Sequence, residues 1–152
     1  MRDIIQISRK EFYIVVGFCA AIIILNSIDA MFKVKDLDMF DFWLNNINPH
    51  QAIGETREEM YHTYLTMCLS NFFVRIITPI GFSLHTYYAL LKTGINKSYV
   101  WIWSILLIAS LVFSILGEKI ITIFLIATGI GYIGLFIALY TLHKKLRNAR
   151  ML

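Results

Sequence analysis

The chain has 152 residues, of which 58% are hydrophobic and only 16% are charged. Soluble domains are typically about half apolar and about a quarter charged, so this composition argues against a water-soluble protein. The net charge of +4 does not indicate nucleic-acid binding, because the basic residues lie in short segments between and after long apolar blocks. We therefore predict that these basic residues contact the headgroups of the lipid bilayer and do not bind nucleic acid.

Four apolar blocks are each long enough to cross about 30 Å of hydrocarbon as a helix, which takes about 20 residues. They predict transmembrane helices at about residues 12–32, 57–91, 99–116 and 120–142. Their hydrophobicity is continuous and does not alternate, which favours helices over membrane β-strands. We therefore expect an all-α integral membrane protein in which residues 1–152 form a single four-helix transmembrane bundle.

The distribution of Lys and Arg predicts how the bundle is oriented. Most basic residues lie in the two terminal segments and in the connection between the second and third apolar blocks, namely Arg2, Arg9, Lys10, Lys92, Lys97, Lys144, Lys145, Arg147 and Arg150. The other two connections carry fewer basic residues and most of the acidic ones. The positive-inside rule then places both termini in the cytoplasm, with the bundle in the plasma (inner) membrane and residues 143–152 as a basic cytoplasmic tail.

The long connection at residues 33–56 is predicted to lie outside the membrane. Residues 38–48 have helical periodicity, with Asp and Asn on one face and Phe40, Trp43 and Leu44 on the other. This pattern predicts a short amphipathic helix that lies on the outer membrane surface or caps the bundle.

The second spanning helix carries the most informative residues. Thr56 and Glu59 have the spacing of a capping box, which predicts that this helix begins at residue 57. One of its faces is a polar stripe, made by Asn71, Arg75, Thr78 and His85. Pro79 has no N–H and predicts a kink, with the carbonyl of residue 75 released from the helical hydrogen bonds. A charge such as Arg75 inside a membrane costs free energy and usually marks a functional site.

The first spanning helix offers Arg75 a counter-ion. Asp29 and Arg75 both lie about 25 Å from the predicted cytoplasmic ends of their helices, at 1.5 Å per residue. We predict that they pair, with Asn26, Asn71 and Glu118 nearby. Three interpretations remain open: the pair locks the bundle, it binds a ligand or ion, or Arg75 extends to the outer headgroups.

Small residues on the fourth spanning helix predict close helix packing. They share one face at steps of four, three and four, and are Ala127, Gly131, Gly134 and Ala138. The pattern does not distinguish packing within the bundle from packing between subunits. Ser110 and Ser114 on the third spanning helix are a candidate opposing surface.

The histidines give little support for a metal or cofactor. His50, Glu59 and His62 are weak candidates for a metal site at the outer surface, and a solvated, capped helix start is the alternative. A bis-histidine haem needs two facing His within the bundle, so no cofactor is predicted. The sequence also lacks Walker, Gly-x-Ser-x-Gly and His-Glu-x-x-His motifs.

Three functions from different classes fit these features. The first is an accessory, regulatory or protective membrane subunit that binds another membrane component, either another membrane protein or a second copy of the chain. The alternative is an oligomeric transporter or channel for small solutes or ions that uses the polar stripe. The third is a membrane enzyme acting on lipid at the outer face through Asp41, Glu59 and His62, although the loops are too short for a catalytic domain.

Overall fold

The computed structural model describes residues 4–46, 56–117 and 122–149. Its elements are α1 (Arg9–Lys35), α2 (Leu37–Asn45), α3 (Arg57–Tyr88), a π-helical turn (Ala89–Thr93), α4 (Lys97–Leu116) and α5 (Ile123–Asn148). Four helices, namely α1, α3 with its π-helical turn, α4 and α5, are long and apolar enough to cross a membrane. Within the described ranges no β-strand occurs, only an isolated bridge between Ile5 and Ile95. The predicted all-α fold with four candidate spans is therefore confirmed.

Capping boxes determine where two of the long helices begin. At α3, the Glu59 N–H donates to Thr56 Oγ1 over 3.3 Å and the Thr56 N–H donates to Glu59 Oε2 over 2.7 Å. The predicted capping box is thus confirmed. Ser8 and Glu11 make the same reciprocal bonds before α1, over 3.2 and 2.7 Å. This unpredicted cap explains why α1 begins at Arg9, three residues before the apolar block at residue 12.

The last helix is longer than its apolar block. It was predicted to end at about residue 142, yet α5 continues to Asn148, so much of the predicted tail is helical. Leu142 and Leu146 on these turns are buried in the core. Lys145 Nζ also lies 3.1 Å from Glu11 Oε2, at the start of α1. Tertiary contacts therefore stabilise helical turns that hydropathy alone does not reveal.

Helix α3 continues through the buried Pro79 to Tyr88, and a kink near residue 79 stays a prediction. The chain then forms the π-helical turn and reverses at Gly94, whose φ of 60° favours glycine. Ile5 and Ile95 exchange backbone hydrogen bonds of 3.0 and 2.8 Å beside it. This pairing fixes the connection between α3 and α4 against the segment before α1.

The long helices pack as a bundle in which α1 and α4 each contact α3 and α5. Side chains with no or almost no exposed surface fill its centre, among them Ile22, Phe82, Leu107, Tyr132 and Leu135. Many large apolar side chains face outwards instead. Such an apolar exterior is expected of helices whose outer surface contacts lipid.

The small-residue face of α5 packs against α1. A Cβ at Gly131 would lie 2.8 Å from Ile22 Cγ1, and one at Gly134 would overlap the Phe18 ring. The candidate opposing surface, Ser110 and Ser114, was therefore wrong, because Phe18 and Ile22 occupy the space above the glycines. Ser110 Oγ instead lies 2.6 Å from Tyr132 Oη, and Ser114 Oγ donates to the Ser110 carbonyl over 2.9 Å.

Candidate functional site

The centre of the site is a buried ion pair between α1 and α3. Asp29 Oδ2 lies 3.5 Å from Arg75 Nη1, and the two residues are only 6% and 5% exposed. The sequence predicts that the two residues lie at the same depth, and in the structure their side chains are in contact. Since burial of a lone charge is costly, the pairing offsets much of the loss of hydration.

Asp29 has two further partners, neither of which was predicted. Lys33 Nζ lies 2.6 Å from Asp29 Oδ2, one turn along α1. Thr122 Oγ1 donates to Asp29 Oδ1 over 3.4 Å, while it accepts from the Leu125 N–H over 3.1 Å as the N-cap of α5. One carboxylate therefore joins α1, α3 and α5.

Arg75 reaches the remaining long helix. Its Nη2 donates to the Ser114 carbonyl over 3.4 Å, in the last turns of α4. Gly117 lies at the same place, where an added Cβ would be 3.5 Å from Arg75 Nη2. We call Asp29, Lys33 and Arg75 the ion-pair node, because their contacts connect all four long helices at one end of the bundle.

A cleft of about 180 Å³ opens beside the node, between α1, α2 and α3. Its polar lining consists of Asn26, Asp29, Lys33, Asn71 and Arg75. Its apolar lining includes Met39, Phe42, Trp43, Met67 and Phe72. The predicted neighbours Asn26 and Asn71 therefore do lie close to the ion pair, and both contribute to the same cavity.

Helix α2 covers the cleft and is held to α3 by an aromatic cluster. Phe40, only 2% exposed, has its ring centroid 5.1 Å from that of Tyr61 and 5.5 Å from that of Tyr64. The two tyrosine hydroxyls donate to the carbonyls of Val34 and Lys33, over 3.2 and 2.9 Å. Phe40 therefore packs on α3, and the location of α2 outside the membrane stays a prediction.

The ends of α2 also differ from the prediction. It begins at Leu37, because the Asp36 carboxylate accepts from the Asp38 and Met39 N–H groups over 3.0 and 3.3 Å. It ends at Asn45, short of the predicted end at residue 48, which lies outside the described residues. Trp43 and Leu44 are partly buried against the Phe40 cluster, so the apolar face of α2 is directed at α3.

The polar stripe of α3 is divided between two environments. Asn71 and Arg75 line the cleft, and Thr78 is half-buried. Phe82 is fully buried farther along the same face. His85 follows at the far end, where its Nδ1 accepts from Trp103 Nε1 over 2.8 Å.

The cleft has the features of a binding site, with convergent polar groups on one side and apolar side chains on the other. No known protein family, curated protein or solved structure matches this chain. The geometry of the cleft and the node is therefore the basis for a functional proposal.

The residues proposed for metal binding or catalysis are engaged elsewhere or lie apart. Glu59 caps α3, and Asp41 Oδ1 lies 2.6 Å from Arg57 Nη2. His62 is exposed, and His50 falls outside the described residues, as does Glu118, which is predicted to lie near the ion pair. Across residues 4–46, 56–117 and 122–149, no group of three or more His, Cys, Asp and Glu is placed to hold a metal ion.

Proposed function

We propose that this protein is a small membrane subunit that binds another membrane component in the cleft between α1 and α3. The observation that carries the proposal is the mixed lining of this cavity. Buried charged groups form its floor, and the covering helix and α3 supply its apolar walls. Ligand sites typically combine such apolar walls with a few placed polar groups. Such a binding site fits an accessory, regulatory or protective role.

The proposal includes an orientation, with the cleft and α2 at the outer face of the plasma membrane and both termini in the cytoplasm. Basic residues support it, since Lys92, Lys97 and Lys145 lie at the bundle end opposite the node. The chain has two cysteines, Cys19 and Cys68. In a variant that lacks both of them, Lys35→Cys and Lys144→Cys report the two ends of the bundle. A membrane-impermeant maleimide added to intact cells should label only Lys35→Cys. Labelling of Lys144→Cys alone would reverse the orientation.

Filling the cleft tests the binding function. Ala30 lines the cavity and is half-buried, so Ala30→Leu reduces its volume. Ala20 is exposed on the same helix, and Ala20→Leu is the matched control. In native mass spectrometry after extraction in mild detergent, we expect a retained membrane component on the wild type and on Ala20→Leu, but not on Ala30→Leu. A wild type without any adduct, or equal retention by both variants, would contradict the proposal.

An oligomeric transporter or channel is the second candidate, and the buried Arg75 is the observation that favours it. A charge at this depth is a common element of ion and solute pathways. Flux of solutes into liposomes, with wild-type protein and with Arg75→Ala, separates the two functions. Flux that Arg75→Ala abolishes in a folded protein would favour transport over the binding function.

A further inference from the structure

The floor of the cleft carries both signs of charge within a few ångströms. Asp29 Oδ2 is 2.6 Å from Lys33 Nζ and 3.5 Å from Arg75 Nη1. With two cations and one carboxylate the node carries a net positive charge, so a cation alone is repelled on balance, while an anion that took over Lys33 and Arg75 would leave the Asp29 carboxylate without its counter-ions. A ligand with one positive and one negative group can instead exchange partners with the node, so that Asp29 keeps a cationic partner while Lys33 and Arg75 share the anionic group.

The chemistry of the node specifies which two groups fit. The Asp29 carboxylate already accepts from one primary ammonium, that of Lys33, so a ligand ammonium with N–H donors can occupy an equivalent position. A quaternary ammonium has no such donor. Lys33 and Arg75 donate N–H groups of the kind that bind phosphate oxygens strongly.

The apolar lining indicates that the ligand belongs to the membrane. Met39 and Phe42 on α2 and Met67 on α3 lead away from the charged floor. Phe42 and Met67 are themselves exposed, so the wall of the cleft continues into the lipid-facing surface. An acyl chain can follow this path while the head remains at the node.

The volume of the cavity agrees with a headgroup site. At about 180 Å³ the cleft is smaller than the roughly 300–1,000 Å³ of pockets that enclose whole ligands. It therefore accommodates the polar head of a lipid whose chains remain outside.

We propose that the cleft binds the head of a zwitterionic phospholipid that carries a primary ammonium and a phosphate. The ammonium contacts Asp29, and the phosphate contacts Lys33 and Arg75. Asn71, half-buried in the wall of the cleft, adds a neutral hydrogen-bonding amide. This assignment rests on the proposed function, because it identifies the membrane component that the cleft would hold.

Trp43 lines the cleft and allows a direct test. The double variant Trp101→Phe/Trp103→Phe retains Trp43 as the single tryptophan reporter. The reference variant Trp43→Phe retains the two tryptophans of α4, Trp101, which is 64% exposed, and Trp103, which is buried. Each is reconstituted into phosphatidylcholine vesicles with increasing mole fractions of brominated phosphatidylethanolamine, phosphatidylcholine or phosphatidylglycerol. Bromine quenches the fluorescence of a tryptophan that the lipid contacts.

We expect half-maximal quenching of Trp43 at about a tenfold lower mole fraction of brominated phosphatidylethanolamine than of brominated phosphatidylcholine. A tenfold ratio is about the effect of one charge-assisted hydrogen bond. The Trp43→Phe reference should show no headgroup preference. Equal quenching of Trp43 by all three lipids, or a preference for the anionic phosphatidylglycerol, would overturn the proposal.

Matched variants keep the test decisive. Asn71→Ala should reduce the preference for phosphatidylethanolamine, while Ser70→Ala, exposed at the adjacent position, should retain it. Asp29→Asn should abolish the preference, provided that circular dichroism shows an intact helical fold. If Ala30→Leu removes a native adduct but Trp43 shows no headgroup preference, the binding function stands and the lipid assignment fails. If the adduct is absent as well, both fail.

Discussion

Asp29 Oδ2 lies 3.5 Å from Arg75 Nη1, and the contacts of this pair reach all four long helices. Asp29 also accepts from Lys33 on its own helix and from Thr122 at the start of α5. Arg75 donates to the Ser114 carbonyl on α4. The pair thus stabilises one end of the bundle and also forms the floor of the proposed binding cleft.

Neutralising Asp29 should destabilise the bundle strongly. Asp29→Asn leaves the cations of Lys33 and Arg75 beside a neutral amide, and loss of one partner of a buried ion pair typically costs about 3–5 kcal/mol. Thermal unfolding in detergent, followed by circular dichroism, measures the effect. The control is Asp38→Asn, at an exposed position on α2. Equal midpoints for the two variants would contradict a stabilising node.

A charge exchange should restore only part of this stability. In Asp29→Arg/Arg75→Asp the new arginine would face Lys33, whose Nζ now lies 2.6 Å from the Asp29 carboxylate. Adding Lys33→Glu removes this repulsion, so the triple variant should unfold at a higher temperature than the double variant. Full recovery by the double variant alone would show that Lys33 does not act in the node.

Sequence reasoning predicted the residues of the ion pair but not the whole node. Hydropathy and depth placed Asp29 and Arg75 at one level, because both lie on apolar helices of known rise per residue. Lys33 was overlooked, although it follows Asp29 at the i, i+4 spacing that favours ion pairs. Thr122 and Asp29 are 93 positions apart in the sequence. Their contact depends on how α5 packs against α1, and no local sequence pattern predicts that packing.

The sequence likewise does not reveal which helices α2 and the small-residue face pack against. The amphipathic pattern predicted a helix but left open whether its apolar face meets lipid or protein. The structure directs Phe40 at α3 because Tyr61 and Tyr64 form a ring cluster there. Likewise, the small-residue pattern around Gly131 predicts close packing against another helix, but only the structure identifies that helix as α1.

Enlarging Gly131 should destabilise the contact between α1 and α5. An added Cβ would lie 2.8 Å from Ile22 Cγ1, and Ile22 is fully buried and has little room to move. Overpacking of this kind typically costs about 1–3 kcal/mol. At Gly129 no atom lies within 4 Å of an added Cβ, so Gly129→Ala should be neutral or stabilising through helix propensity. Unfolding midpoints that fall equally for the two variants would exclude a specific contact.

Truncating Phe40 should release α2 from the bundle. Its ring is buried against Tyr61 and Tyr64, whereas Phe42 on the same helix is 43% exposed. In the Trp101→Phe/Trp103→Phe background, Phe40→Ala should therefore move the Trp43 emission to longer wavelength and increase amide hydrogen exchange in α2, while Phe42→Ala should change the exchange little. If α2 remains as protected in Phe40→Ala as in the wild type, another contact holds it in place.

Ser110 and Tyr132 should be energetically coupled between α4 and α5. Their hydroxyl oxygens lie 2.6 Å apart, and both residues are buried. Hydrogen bonds between membrane helices contribute about 0.6 kcal/mol on average and at most about 1.7 kcal/mol. A double-mutant cycle of Ser110→Ala and Tyr132→Phe should give a coupling in that range, because each substitution removes one hydroxyl and leaves most apolar contacts intact. Strictly additive effects of the two substitutions would show that this hydrogen bond does not stabilise the α4–α5 contact.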